Sequence, residues 1–209
     1  MASPPDDASW SLATIKGRRS IRRYAAVPVD RAMVDRLLLA ATAAPSSHNR
    51  QPWRFAVLED AASKHRLATA MGERLRHDRL ADGDDPAEVA RDVERSHARI
   101  TEAPLVILAC LDAADMDHYP DEARGAAERV MAIQSTAMAV QNVLLAAHAE
   151  GLGACIMCAP LFCGPTVVEA LGLPDGWEPQ SLVTIGPPAS GGRDRPRLPL
   201  DAIVWRPRG

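Results

Sequence analysis

The chain has 209 residues, 47% of them hydrophobic and 24% charged, so it can bury a full core and has the composition of a globular domain. Its formal net charge of -3 gives no electrostatic reason to expect a nucleic-acid partner. The first residues are polar and acidic, unlike a signal peptide, and no apolar run of about 18 residues predicts a membrane span. We therefore expect a cytoplasmic protein that binds neither membranes nor nucleic acid.

The first half of the chain predicts mostly helices. Residues 1–9 should form a flexible N-terminus, followed by one domain over 10–209. Asp30 can cap a helix whose apolar residues recur at helical spacing. The predicted elements are helices over 10–17 and 30–43, a strand over 53–58, and helices over 61–80 and 87–101. The last two helices are charge-rich, and we interpret 61–101 as a solvated helical flap.

The second half alternates apolar strands with helices, which indicates one layered α/β or α+β domain. Its predicted elements are strands over 105–111, 154–158 and 181–185, and helices over 123–149 and 165–171. The longest helix is crowded with small residues, among them Ala132, Ser135 and Ala139. We expect this helix to pack closely against another element, because it is too apolar to face water alone.

A turn-forming loop stands directly before the first strand. It contains Pro45, Ser46 and Ser47, which favour a tight turn, and the amides Asn49 and Gln51, each with a donor and an acceptor. Such a loop can read the polar edge of a flat ring. A basic cluster over 18–23 can hold an anionic tail, so the two together suggest a flavin or nucleotide site.

Two further features leave alternatives open. Cys155 and Cys158 form a C-x-x-C with Cys163 close by, which permits a zinc or redox site, but their run is apolar and favours packing. We predict no metal. Arg195 and Arg197 lie in a basic tail that either solubilises the end of the chain or completes an anion site.

Four motifs in order, over about 10–204, resemble the FMN-dependent nitroreductase-like family. They are Arg18-Arg19-Ser20-Ile21-Arg22, Pro45-Ser46-Ser47-His48-Asn49-Arg50-Gln51-Pro52-Trp53, Gly151-Leu152-Gly153 and Arg195-Pro196-Arg197. The resemblance implies an α+β fold, a mixed sheet flanked by helices. It also implies an intertwined homodimer with FMN at the subunit interface and helix 123–149 at its centre.

The resemblance also implies roles for individual residues. Arg18, Ser20, Arg195 and Arg197 would clamp the phosphate, which guanidinium groups match bidentately. Arg22 would lie beside the N1–C2=O2 edge of the flavin, where a cation stabilises the reduced ring. The whole set implied at the cofactor is Arg18, Arg19, Ser20, Arg22, Pro45, Ser46, Ser47, Asn49, Gln51, Cys158, Ala159, Pro160, Leu161, Arg195 and Arg197.

Within that set, the segment 158–161 would face flavin N5. Pro160 has no N–H, so we expect a neighbour such as Leu161 to supply a backbone donor there. His48 is interpreted as a local hydrogen-bonding residue. No side chain is assigned as catalytic, because the flavin would carry out the chemistry.

The segments 121–129, 153–163 and 167–179 resemble the C-terminal reductase domain of the FbiB enzymes of coenzyme F-420 biosynthesis. That resemblance implies a deazaflavin precursor as the conjugated small-molecule substrate. The alternative is a broad reductase of nitroaromatics or quinones that uses NAD(P)H as electron donor. Two rival hypotheses are a flavin carrier without turnover and an interaction dimer that uses the charged helices 61–101.

Overall fold

In the computed structural model, residues 7–207 are described, with side chains from residue 11 onward. This part of the chain forms six α-helices and four strands. The helices are α1 (Asp7–Gly17), α2 (Arg31–Thr42), α3 (Ala61–Ala81), α4 (Pro86–Thr101), α5 (Glu122–Ala149) and α6 (Gly164–Leu171). The strands are β1 (Trp53–Leu58), β2 (Leu105–Asp112), β3 (Gly153–Met157) and β4 (Trp177–Gly186).

The predicted flexible N-terminus, residues 1–9, overlaps the first helix. Helix α1 begins at Asp7, so residues 7–9 are helical, and residues 1–6 lie outside the described part of the chain.

The four strands form one sheet in the order β1-β2-β4-β3, and each pairing between them is antiparallel. A parallel pairing occurs as an isolated bridge between Ser20 and Ala154 at the β3 edge. The α+β prediction is confirmed, with a sheet whose four strands pair antiparallel.

Strand β4 is longer than the sequence predicted, because it begins at Trp177 and passes through Pro179. The register shifts here: Ala109 of β2 pairs with Ser181, whereas Cys110 pairs with Pro179. A bulge leaves one residue of β4 unpaired, and proline is tolerated at such a position. Because proline is unusual inside a strand, the sequence did not predict the first part of β4.

The side chains of β2 alternate between two hydrophobic clusters, one on each face of the sheet. Leu105 and Ile107 pack with α2 and α5, while Val106 and Leu108 pack with α3, α4 and α6. Both faces are therefore covered, as the apolar run of β2 predicted.

The helical pair α3–α4 covers one face of the sheet with buried side chains. Leu67 of α3 and Ile100 of α4 are fully buried in the same cluster, and Arg79 of α3 pairs with Asp92 of α4 at 2.5 Å. The pair thus contributes to the core as well as presenting a charged outer face.

The small residues of α5 face inward, in agreement with the prediction that they let another element pack closely. Ala132, Ser135 and Ala139 are buried within the chain, where their size lets α5 lie close to the sheet and to the loop before β1. The outward face carries the larger Val130 and Ile133. Among the described helices, α5 alone is long and apolar enough to cross a membrane by length and composition, and 44% of its apolar window is buried.

Candidate functional site

Backbone and hydroxyl hydrogen bonds hold the segment after α1 against the edge of the sheet. The Ile21 N–H donates to the Ala154 carbonyl at 3.0 Å, and the Ala189 N–H donates to the Arg23 carbonyl at 3.0 Å. The Tyr24 hydroxyl lies 2.7 Å from the Ile21 carbonyl and 2.8 Å from the Thr184 hydroxyl. The segment carrying Arg18 to Arg23 is thus fastened between β3 and the chain that follows β4.

Two glycines permit this close approach. A Cβ atom at Gly153 would lie 2.6 Å from the Ile21 side chain, and one at Gly192 would lie 2.4 Å from the Cβ of Arg19. Gly153, part of the third motif of the sequence, is therefore needed for packing against Ile21. Gly151, with a φ of 77°, is the residue whose left-handed backbone ends α5.

A cavity of about 600 Å³ lies between this segment, the C-terminal tail and α4. It brings together the two basic clusters that the sequence predicted, one from each end of the chain. The arginines that line it are Arg18, Arg19, Arg22, Arg23, Arg95, Arg99, Arg193, Arg195 and Arg197, together with Ser20 and a single acid, Glu102.

Two of these arginines already have acidic partners. Arg19 pairs with Asp194 at 3.0 Å and also donates to the Lys16 carbonyl, so it fastens the tail to the segment after α1. Arg95 pairs with Asp92. Among the described residues, no acidic side chain forms an ion pair with the other seven. This arrangement suits a phosphate, which accepts charge-assisted hydrogen bonds from several guanidinium groups.

The field of these arginines extends to a thiol on β3. Burial raises the pKa of the Cys155 thiol, and the nearby charges of Arg22, Arg99 and Arg18 oppose that rise. Burial also raises the pKa of the Tyr24 hydroxyl above its ordinary value. Both groups are therefore neutral at physiological pH.

The amide loop before β1 has an unusual backbone. His48, Asn49 and Gln51 have φ values of 49°, 55° and 49°, in the left-handed region that residues other than glycine seldom adopt. Such conformations persist where the surroundings fix them, and they concentrate at ligand sites.

Contacts from both serines hold the loop in place. The Ser46 hydroxyl accepts from the Gln51 N–H at 3.1 Å, and the Ser47 N–H donates to the Ser135 hydroxyl of α5 at 3.3 Å. The side chains of Pro45, Asn49 and Gln51 are exposed. The serines therefore support the loop, while the two amides remain accessible to a ligand.

The amide loop and the arginine cavity lie at opposite corners of the sheet. The loop leads into Trp53 at one end of edge strand β1, whereas Ser20 bridges Ala154 on β3, the other edge. Three strand spacings separate the edges, about 14 Å, and the two corners are also at opposite ends of β4, about 23 Å apart along the strand. The loop residues do not line the arginine cavity.

The segment after β3 forms a 3-10 turn over Ala159–Phe162, and Cys158 precedes it. The Leu161 N–H donates to the Cys158 carbonyl at 3.1 Å within this turn, and a backbone donor to flavin N5 from Leu161 or a neighbour stays a prediction. Pro160 is buried, whereas Leu161 and Phe162 are exposed, Phe162 by 82%. An exposed phenylalanine beside this turn offers an apolar contact surface.

All four cysteines are free, and no cluster of metal ligands occurs among the described residues. Cys110, Cys155 and Cys163 are buried packing residues. Cys158 is exposed, so the prediction of a packing role is wrong for this residue, which lies after the last paired position of β3.

Sequence reasoning missed the contribution of α4 to the cavity. Arg95, Arg99 and Glu102 are spaced at i, i+4 and i+7 and therefore lie on one face of the helix. That spacing was visible in the sequence, but the choice of which polar face meets the other arginines depends on how α4 packs on the sheet. Arg23, the last residue of the predicted basic cluster over 18–23, also lines the cavity.

Residues 15–187 match the family described as Nitroreductase, which covers both the segment after α1 and the amide loop. The chain belongs to the nitroreductase family. This nitroreductase-family chain is 30% identical to a "NADH dehydrogenase" of Thermus thermophilus, with 90% of this chain and 92% of that protein covered. It is 31% identical to a "5,6-dimethylbenzimidazole synthase" of Rhodospirillum rubrum, with 94% and 89% covered.

Solved structures agree with the family assignment. A nitroreductase from Desulfovibrio desulfuricans in complex with FMN superimposes with a TM-score of 0.72 at 27% identity, with both chains fully covered. A nitroreductase-like protein from Bacillus cereus has a TM-score of 0.76 at 22% identity, with both chains fully covered, and shares the fold.

Proposed function

We propose that this protein is a homodimeric, FMN-dependent oxidoreductase that takes electrons from NAD(P)H and reduces a flat, conjugated small molecule. The observation that carries the proposal is the arginine cavity, in a chain of the nitroreductase family. FMN supplies a hydride acceptor and donor at N5 of its ring when it is bound.

The donors around the cavity fit the phosphate of FMN. Arg18, Arg195 and Arg197 offer guanidinium groups without acidic partners among the described residues, and Ser20 adds a hydroxyl. A phosphate monoester carries a charge of about -1.5 to -2 at neutral pH, so it neutralises charge that the protein leaves uncompensated. Arg19 acts indirectly, because its ion pair with Asp194 holds the tail beside the cavity.

The separation between the cavity and the amide loop supports a site made by two subunits. Asn49 and Gln51 lie at the opposite corner of the same sheet from Ser20, too far away to contact a ring whose phosphate lies in the arginine cavity. We infer that the loop of one subunit reads the ring held by its partner. The left-handed residues of the loop would then present both amides in one fixed direction.

Exposed apolar side chains support the same dimer. Val130, Ile133 and Met138 form an outward stripe on α5, and they are 49%, 37% and 39% exposed. In the C-terminal tail, Leu198 and Trp205 are also exposed, Trp205 by 83%. Large apolar residues grouped on a helix and an extended tail are typical of a surface that another subunit covers.

The residues of this chain would bind, orient and shield the cofactor. Arg22 would place a positive charge beside the ring, which favours the reduced, anionic state. The amides would hydrogen-bond the polar edge of the ring and fix its plane. Leu161 and Phe162 would exclude water from the face where a second flat molecule stacks.

The acceptor is either a nitroaromatic or quinone, or a deazaflavin precursor. Membership of the nitroreductase family supports the first, and the relative named NADH dehydrogenase, at 30% identity, supports NAD(P)H as reductant. The sequence segments that resemble FbiB support the second. Relatives at nearly equal identity carry different activities, so overall similarity leaves this choice to experiment.

The test begins with the visible absorption spectrum of the purified protein. We expect flavin bands that NADH or NADPH bleaches under anaerobic conditions. A quinone, a nitroaromatic or a dehydro deazaflavin precursor should then restore these bands. The acceptor with the highest kcat/KM identifies the substrate class. Bands that no reductant bleaches would instead indicate a flavin carrier, and a protein that binds no FMN on titration would contradict the proposal.

A further inference from the structure

The arginine cavity carries more positive charge than one FMN phosphate requires. Seven of its nine arginines have no acidic ion-pair partner among the described residues, and Glu102 is the one acid in the lining. A single phosphate brings a charge of about -2 at most. Concentrating this many like charges is unfavourable unless further anionic groups bind.

The arginines of the cavity come from two opposite parts of the fold. Arg18, Arg22, Arg195 and Arg197 belong to the segment after α1 and to the tail, whereas Arg99 comes from α4. Ala98, Arg99 and Glu102 of α4 line the cavity along one helical face, with Arg95 a turn before. The cavity therefore has two cationic walls, built by elements far apart in the chain.

Arg99 is the arginine of the α4 wall that forms no ion pair among the described residues. Its side chain is half-buried, it forms no ion pair with Glu102 one turn away, and its charge acts on the same Cys155 thiol as those of Arg18 and Arg22. Arg95 is partly neutralised by Asp92. Arg91, one turn earlier, lies outside the cavity and pairs with Glu88 at 3.8 Å.

We propose that Arg99, with Arg95 beside it, binds a second phosphate in this cavity, carried by the diffusible reductant. This rests on the proposed function, in which NAD(P)H donates electrons to bound FMN. NADPH offers two such groups, the 2′-phosphate and the pyrophosphate, and NADH offers the pyrophosphate alone. An arginine is a common partner of the 2′-phosphate in NADP-binding proteins.

The test measures binding of phosphate-bearing fragments to the FMN-loaded protein by calorimetry, without turnover. The ligands are 2′,5′-ADP, 5′-ADP and adenosine, and the variants are Arg99→Gln and the matched control Arg91→Gln. Loss of one charge-assisted contact should weaken binding about tenfold or more. We expect Arg99→Gln to weaken the binding of 2′,5′-ADP or of 5′-ADP to that extent, whereas Arg91→Gln leaves both affinities unchanged. The nucleotide that loses affinity identifies which phosphate group Arg99 contacts.

Three results would overturn the inference: unchanged affinity for both nucleotides in Arg99→Gln, equal losses in the Arg91→Gln control, or no binding of either nucleotide to the FMN-loaded wild type. A rise in the FMN dissociation constant of Arg99→Gln equal to that of Arg18→Gln would also overturn it, because Arg99 would then belong to the FMN clamp. Each of these outcomes leaves FMN binding by the wild type intact. They are therefore distinct from failure of the proposed function, in which the wild type binds no FMN.

Discussion

Arg18 and Arg197 come from opposite ends of the chain and line one cavity, each without an acidic partner among the described residues. The charges of Arg18 and Arg197 are available to a ligand, whereas the ion pair with Asp194 already neutralises that of Arg19. The distinction matters because an arginine bound to a carboxylate has lost much of its capacity to bind a phosphate. At the scale of single residues, the sequence assigned Arg18, Arg19 and Arg197 to one set of cofactor-binding residues, and the ion pairs separate them by role.

We expect Arg18→Gln or Arg197→Gln to weaken FMN binding about tenfold or more, because each removes one charge-assisted contact with the phosphate. The measurement is fluorescence titration of the apoprotein with FMN. Arg31→Gln, an exposed position at the start of α2 that does not line the cavity, is the matched control. Unchanged affinity in both cavity variants would remove them from the clamp.

At the scale of elements, the site depends on how the segment after α1 is fastened to the sheet. Tyr24 reaches across to Thr184 of β4, and Gly153 and Gly192 leave room for Ile21 and Arg19. These contacts keep the arginines beside the tail. Damage to the fastening should therefore lower both the stability and the cofactor affinity.

Tyr24→Phe should reduce the free energy of unfolding by about 1–3 kcal/mol, because it leaves acceptors of the Tyr24 hydroxyl unpaired. Burial raises the pKa of this hydroxyl, so the stabilisation is fully present below the ordinary tyrosine pKa of about 10 and is lost as the pH rises above it. Urea unfolding at pH 8 and pH 11 measures both effects. Tyr119→Phe, at an exposed tyrosine, is the control. If the difference in unfolding free energy between Tyr24→Phe and the wild type stays constant with pH, this assignment is contradicted.

At the scale of the whole molecule, the sheet separates two parts that a flavin must contact together. The amide loop and the arginine cavity occupy opposite corners, and the outward face of α5 exposes the apolar side chains of Val130, Ile133 and Met138. A second copy of the chain resolves both features at once, because it can cover α5 and bring its own loop to the cavity.

We expect Ile133→Lys, in the middle of the exposed α5 stripe, to convert the protein into a monomer that no longer retains FMN. The charge would have to be buried in the subunit interface, at a large cost in free energy. Light scattering gives the mass, and the flavin absorbance gives the cofactor content. Ala90→Lys, at an exposed position on α4, should leave both unchanged. A monomer that still binds FMN would refute the interface site.

Much of the local structure followed from the sequence alone. Asp30 caps α2 by accepting from the Met33 N–H, as its position before an apolar repeat predicted, and the unbroken apolar run of β2 indicated burial on both faces. The two basic clusters and the amide loop were also recognisable, because residue type and short spacing determine turns, caps and donors.

Only the tertiary structure decided how those parts combine. It turned the small residues of α5 inward, used the Leu161 N–H within a turn, and added Arg99 of α4 to the cavity. Each outcome depends on which face of an element meets which neighbour, and that choice minimises the free energy of the whole packed chain. Sequence periodicity describes the faces of a helix or strand, but the partner of each face is set by contacts between residues far apart in the chain.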